Sequence, residues 1–432
     1  MDEWGVGDFV THSVAMSGHT PDIAGNLFAW PNFAESAVYR SYGDAKTGRI
    51  LLSGSRASNY PWRVAVDRAI QSSYPVRTMA HGGWFDRIGA AGMPLGADYA
   101  RQLSTALVVP TCGTISHELV RKHLEIPASG ALLLTERTAA VEAAGFIDGE
   151  NCVFTDEFSV VSRLGELFAN PDELARIASA GQRLVHERHD IDNRDQVRQW
   201  FELTGQARAR GRGERVVQTD PFRPLELVAA EFCFEGPAPS GRDLALIAEG
   251  ASAAAAGDAP AAIQAFNWAL AHHFIPEAAL GLARARISAG QPDEALQAIS
   301  FTIAQSMTVH AATEPDPVEW ALFIRVLLCA GRRSSAIRRA RQYPGLRHHE
   351  LDRIRAFLDI RSGAGRARRS VHIVPVSTDR EWRVGLAADM RACAGQPVTS
   401  PVPRNFYLAA RRRWMASGRR WAVRHAGPLL RR

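Results

Sequence analysis

The sequence predicts a doubly wound α/β domain with a parallel sheet, followed by an all-α helical-repeat domain. The first rests on short apolar runs between Arg49 and Thr155, each separated from the next by a segment of helical periodicity. The second rests on alanine-rich segments beyond residue 242 that repeat at offsets of 33 and 41 residues. A length of 432 residues accommodates two or three domains at roughly 150 residues each.

Strands are expected at Ile50–Ser53, Val76–Ala80, Ala106–Pro110, Ala131–Thr135 and Cys152–Phe154. The runs ALVVP and ALLLT are apolar throughout, as in strands buried on both faces. Helices are expected at Pro61–Ser72, Ala97–Ser104, Glu118–Ala128 and Phe158–Phe168. Asn170 then caps a helix from Pro171 to Glu187, with proline first and Asp172 and Glu173 in its first turn, where the helix dipole favours anions. A last helix from about Arg194 to Leu203 closes the domain, which spans 49–205. Residues 206–241, rich in Gly, Arg and Pro, read as a linker. In 242–361, AGDAPAAIQAF (256–266), AGQPDEALQAI (289–299) and CAGRRSSAIRRA (329–340) repeat one pattern. They predict about three helical hairpins of the tetratricopeptide type, the longer offset being taken up by the ATEPDPVE loop.

Apolar residues make up 46 % and charged residues 22 %, which suits ordinary cores and excludes wholesale disorder. The net charge of +6 is uneven: Gly363–Arg432 carries +12 and the first 362 residues carry −6. Residues 362–432 therefore read as a basic tail, in which Tyr407, Trp414 and Trp421 lie seven apart among arginines. Such a helix suits an anionic membrane surface or a phosphate-rich partner, or else docks its aromatics on its own protein. Nucleic acid as a partner finds no recognised binding module. Five scattered cysteines and no apolar stretch near 18 residues point to a reducing compartment and away from a membrane span. The expected location is the cytoplasm, with the tail as a contact to the inner face of a membrane.

Two clusters carry candidate chemistry. SGSRASNYPWR (53–63) is a small-residue turn that feeds a helix amino terminus, a natural seat for phosphate, with Arg56 and Arg63 as cationic forks. A plain turn with surface arginines has the same composition. In HELVRKHLEIPASG, His117, Arg121 and Glu125 fall at i, i+4 and i+8, which places them on one face of a helix. That helix follows the third strand, beside the crevice where doubly wound folds bind ligands. An exposed Arg–Glu pair is the plainer alternative. His81, after the second strand, reaches a ligand or closes a turn, and Glu136 and Glu142 flank the exit of the fourth strand. Asp190-Ile191-Asp192 matches a metal-binding DxD but sits between helices, so it is assigned to capping.

The ordered series RKHLEIPASGALLLTE, EAAGFIDGENCVF and PDELARIASAGQRLVHERH resembles the donor-binding half of group 1 glycosyltransferases of GT-B fold, most of all the spore-maturation (CgeB-like) branch. The resemblance covers about Arg49 to Leu203 and implies a single Rossmann-like domain that binds a nucleotide-diphosphate sugar, with no other cofactor and no metal. It implies that Glu125 holds the nucleotide ribose and that Arg121 and Lys122 meet the diphosphate. The turn with Gly54, Ser55, Arg56, Tyr60 and Arg63 is similar to the family's first turn. His117 stands where related branches carry a glutamate near the donor sugar. Residues 1–48 resemble the interdomain stretch that precedes the donor half. The resemblance thus implies transfer of a sugar to a glycan, lipid or protein hydroxyl, with the acceptor half truncated, supplied by another subunit, or lost together with catalysis. The alternative function is an inactive scaffold whose repeats and tail recruit a partner.

Overall fold

The computed structural model describes residues 7–14, 26–79, 94–229 except 212 and 219, 241–309, and 311–395 except 366, 369, 371, 373 and 375. They form two compact units that divide between Leu244 and Ala245. His81 and the aromatic–arginine segment with Tyr407, Trp414 and Trp421 lie outside the described residues.

In the first unit, β1 (Phe9–Thr11) and β2 (Leu27–Ala29) make a small parallel pair. The main sheet contains β3 (Gly48–Leu52), β4 (Arg77–Thr78), β5 (Ala106–Pro110), β6 (Leu132–Thr135) and β7 (Val153–Phe154). All its pairings are parallel and the order is β4-β3-β5-β6-β7. Neighbouring residues on each strand enter different cores, because side chains alternate across a sheet. Leu51, Val109 and Leu133 pack with α2 (Gly96–Ser104), α3 (Lys122–Ala128) and α4 (Ala139–Ala143). Ile50, Leu52, Val108, Leu132 and Leu134 pack with α1 (Pro61–Ser73), α5 (Val160–Ala169) and α6 (Pro171–Arg188). Helices thus cover both faces, as the sequence predicts for a doubly wound fold. The chain leaves β3 for β4 on one side and returns to β5 on the other, so the carboxyl ends of β3 and β5 diverge.

Three readings of this unit are corrected. The helix expected from Glu118 starts at Lys122, with Arg121 as its N-cap. Upstream, His117 has φ 56°, the side chain of Asn32 donates to Leu119 O (2.8 Å), and Val120 N donates to His123 Nδ1 (3.1 Å). Those partners satisfy groups that a longer helix would have used, and Pro127 limits the helix from the other end. Second, Thr138 caps an unforeseen helix, α4, by accepting from Val141 N. Third, the proposed linker is structured over much of its length. Helix α7 (Gln196–Arg210) ends at Gly211 with φ 61°, and β8 (Arg215–Val217) pairs antiparallel with β9 (Glu226–Val228). Val216 and Leu225 bury Phe28 of β2, and the Gln218 amide pairs with both backbone groups of Ala29. Asp190 accepts from Ser36 N (2.8 Å) and Asp192 N (3.1 Å), so its carboxylate works as a cap.

The second unit is helical. Three helical hairpins follow one another: α8 (Arg242–Ala256) with α9 (Ala259–His272), α10 (Pro276–Ser288) with α11 (Pro292–Ala304), and α12 (Pro317–Cys329) with α13 (Arg333–Arg341). Gly257, Gly290 and Gly331 occupy the three corresponding turns at φ 81°, 72° and 70°, which accounts for the repeated Ala-Gly. The Phe266 ring fills the space that a Cβ at Gly250 or Gly281 would take. Two more helices follow, α14 (His349–Phe357) and α15 (Asp379–Cys393). The latter corrects the reading of a tail from residue 362: Thr378 and Glu381 form a capping box, and Trp382 and Leu386 enter the core. Among the described residues no helix is long and apolar enough to cross a membrane.

Arg355, 1 % exposed, donates to the carbonyls of Ala340, Gln342, Tyr343 and Leu346 at 2.6–3.1 Å and so closes the carboxyl end of α13. Replacing it with methionine leaves those carbonyls without a donor. Arg355→Met is expected to cost about 3–5 kcal/mol, read as a lowered urea midpoint for the helical unit; an unchanged midpoint contradicts this role.

Candidate functional site

The diverging ends of β3 and β5 are joined by one side chain. Arg63, in the first turn of α1 and 2 % exposed, donates from Nη1 to Ser55 O (2.9 Å). Its Nη2 donates to Thr111 Oγ1 (3.0 Å) and Cys112 O (3.2 Å), just beyond β5. The guanidinium also lies 4.5 Å from the centroid of the Tyr60 ring. Between these strand ends sits Gly54 at φ 104°, a conformation that favours glycine. A Cβ there would stand 2.7 Å from Arg63 Nη1 and 2.6 Å from Lys122 Nζ, so two cations converge on one small space.

Lys122, the first residue of α3, is partly buried and stands 5.8 Å from the centroid of the Tyr99 ring. Among the described residues it makes no hydrogen bond and no ion pair. Burial, and then the charge of Arg63, push its ammonium down to about 7. Arg63 Nε, a buried donor on the neighbouring guanidinium, also lacks a hydrogen-bond partner. Glu136, at the exit of β6, accepts from Gly113 N (3.1 Å) and is pushed up to about 7 by burial.

The other cations are already engaged. Arg56 pairs with Asp67 (2.8 Å), whose carboxyl is raised by burial and held back by Arg56. Arg121 is 55 % exposed and pairs with Glu125 at 3.2 Å, the plainer arrangement that the sequence offered. Glu125 is buried and accepts from the Tyr39 phenol, whose ionisation burial suppresses. His117 shares no helical face with them, a correction to the i, i+8 spacing: it belongs to the turn before α3. That turn is held by Ser116 Oγ donating to Asp243 (2.7 Å), Ile115 N donating to Asn59 O (3.0 Å), and the Ser13 hydroxyl donating to Glu118. The structure therefore gathers Gly54, Ser55, Tyr60, Arg63 and Lys122, keeps Arg121 with Glu125, and turns Arg56 toward Asp67.

Sequence reasoning passed over Tyr39, Tyr99 and His123. His123 is fully buried; its Nδ1 accepts from Val120 N, so its Nε2 donates to Thr135 Oγ1 (3.0 Å). Burial pushes this imidazole down to about 3 and keeps it neutral. The charged sequence neighbours of these three residues give no sign that their side chains are the ones that fold inward. A groove of 340 Å³, lined by Lys46, Arg49, Leu107, Phe168 and Leu174 among others, opens at the amino ends of the strands and touches none of the predicted residues.

A family model described as glycosyl transferase-like matches residues 61–202. Among solved structures, the chain is similar to the C-terminal domain of a group 1 family glycosyl transferase from Francisella tularensis, at 13 % identity and a TM-score of 0.30 over 37 % of this chain and 99 % of that one. It is similar to Anabaena HepE in complex with UDP and glucose, at 15 % identity and a TM-score of 0.38 over 47 % of this chain and 63 % of that one. It is also similar to the sucrose-phosphate synthase of Thermosynechococcus elongatus, at 13 % identity and a TM-score of 0.37 over 46 % of this chain and 58 % of that one. The chain thus spans less than two thirds of the length of the last two. No curated protein matches it. The matching family and these neighbours are glycosyltransferases.

Proposed function

We propose that the α/β unit binds a nucleoside-diphosphate sugar in the crevice between β3 and β5, and that the chain is a glycosyltransferase of the CgeB-like branch. The observation that carries the reading is the convergence of Arg63 Nη1 and Lys122 Nζ beside Gly54, where Lys122 has no hydrogen-bonded counter-ion among the described residues. The family match over residues 61–202 supports the class of chemistry.

In this reading an acceptor hydroxyl on a glycan, lipid or protein attacks the anomeric carbon, the bond from that carbon to the β-phosphate oxygen breaks, and the diphosphate leaves with its electron pair. The hydroxyl proton passes to the diphosphate or to solvent. Lys122 stabilises the charge that grows on the leaving group, assisted by Arg63 and by amides of the 54–60 turn. Glu125, positioned by Tyr39, accepts from the ribose hydroxyls, and Arg121 swings from Glu125 toward phosphate. His117 is placed near the donor sugar by the resemblance alone, and His81 reaches the ligand by its place after the second strand. The helical hairpins, of tetratricopeptide type, recruit a protein partner, and the basic tail meets an anionic membrane surface. A scaffold without catalysis is the second reading, favoured by the Arg56–Asp67 and Arg121–Glu125 pairs, which occupy two of the four cations.

Titration calorimetry with UDP and GDP separates the two. The donor reading expects one of them to bind and Glu125→Ala to weaken it by roughly tenfold or more; no binding of either, or binding unaffected by Glu125→Ala, removes the donor-site assignment. Gly54→Ala is expected to weaken the same nucleotide by a similar factor. Arg63 is pinned by three hydrogen bonds and yields little room to a methyl group at a positive φ. Unaltered binding by that variant would place the nucleotide elsewhere.

A further inference from the structure

We propose that diphosphate binding in this crevice is coupled to proton uptake by Lys122, whose Nζ shares the space beside Gly54 with Arg63 Nη1: the arriving anion brings a proton with it. The inference rests on the donor reading and adds a pH control to that site.

The geometry sets the condition. Lys122 Nζ and Arg63 Nη1 share the space beside Gly54, and no carboxylate touches the lysine among the described residues. Among the described residues, the groups that face it from each neighbouring element compensate the repulsion only in part. From α1 and the turn before it come Arg63, itself a cation, and Arg56, which Asp67 already neutralises. From α2 comes Tyr99, whose phenol burial keeps neutral. Beyond β5 lies the Cys112 thiol, pushed up to about 12 by burial. On α3 itself Glu125 attracts the ammonium, yet its carboxylate is engaged by Arg121 and Tyr39. Arg63 Nε is a buried donor without a hydrogen-bond partner on the guanidinium that shares this space.

A bound diphosphate reverses the balance. Its oxygens stand against both cations, favour the ammonium, and raise its affinity for a proton. The free amine takes up H⁺ to become –NH₃⁺, no covalent bond changes, and departure of the nucleoside diphosphate releases the proton again. Burial and then Arg63 lower the free amine's proton affinity, so the uptake per binding event above neutral pH rises toward one proton as the pH rises. Because the ammonium is stabilised by the ligand, affinity falls as pH rises above 7. Between pH 7.5 and 9 the fall is roughly 20-fold.

The test is calorimetry of the full chain with UDP, and with GDP, at pH 8 in Hepes and in Tris, whose ionisation heats differ. The proposal expects uptake close to one proton in the wild type, and in Lys122→Arg weaker binding with no uptake and an affinity that is flat from pH 7.5 to 9. Binding without uptake, or uptake that persists in Lys122→Arg, overturns the coupling and leaves the donor reading standing. Failure of both nucleotides to bind at any pH overturns the donor reading and the coupling with it. If the arginine variant does not fold, the wild-type proton count decides alone.

Discussion

The arrangement of the α/β unit depends on one guanidinium. Just beyond the ends of β3 and β5 the chain carries the carbonyls of Ser55 and Cys112, and a buried carbonyl without a donor is costly. Arg63 reaches across the gap and donates to Ser55 on one side and to Thr111 and Cys112 on the other. This cross-tie fixes the width of the crevice and commits the first turn of α1 to its rim. It also brings a fixed positive charge to the site, and burial first and that charge second lower the proton affinity of Lys122 and of His123. Structure and electrostatics of the site thus have a common origin.

The sheet was legible in the sequence because its strands are apolar on both faces: ALVVP and ALLLT admit few other readings, and their order along the chain dictates parallel pairing. Helices with proline at their start, such as α1 and α6, were equally visible. The hairpin β8–β9 was not, because three-residue strands are too short to show a period and lie among Gly, Arg and Pro. The start of α3 was misplaced for a different reason. Periodicity runs smoothly through His117 to Glu125, but Asn32 and His123, remote or buried, bind the backbone of that segment and fix a turn instead.

The same limit applies to the site. Arg63, Lys122 and Gly54 were named from composition and resemblance, and the structure brings them together. Composition alone does not reveal that Arg56 is spent on Asp67, because that pairing depends on how α1 packs behind the turn. In the helical unit the repeated Ala-Gly mapped onto left-handed turns because glycine alone occupies that region without strain. Helix α15 was hidden by the arginines around it: net charge described the segment, whereas Trp382 and Leu386 decide where it packs.

The most direct measurement is a crystal structure of the full chain soaked with UDP. The account predicts density for the β-phosphate on the open side of Gly54, with an oxygen within hydrogen-bond distance of Lys122 Nζ and the ribose beside Glu125. Nucleotide density in the groove at the amino ends of the strands, with Lys122 untouched, would contradict it.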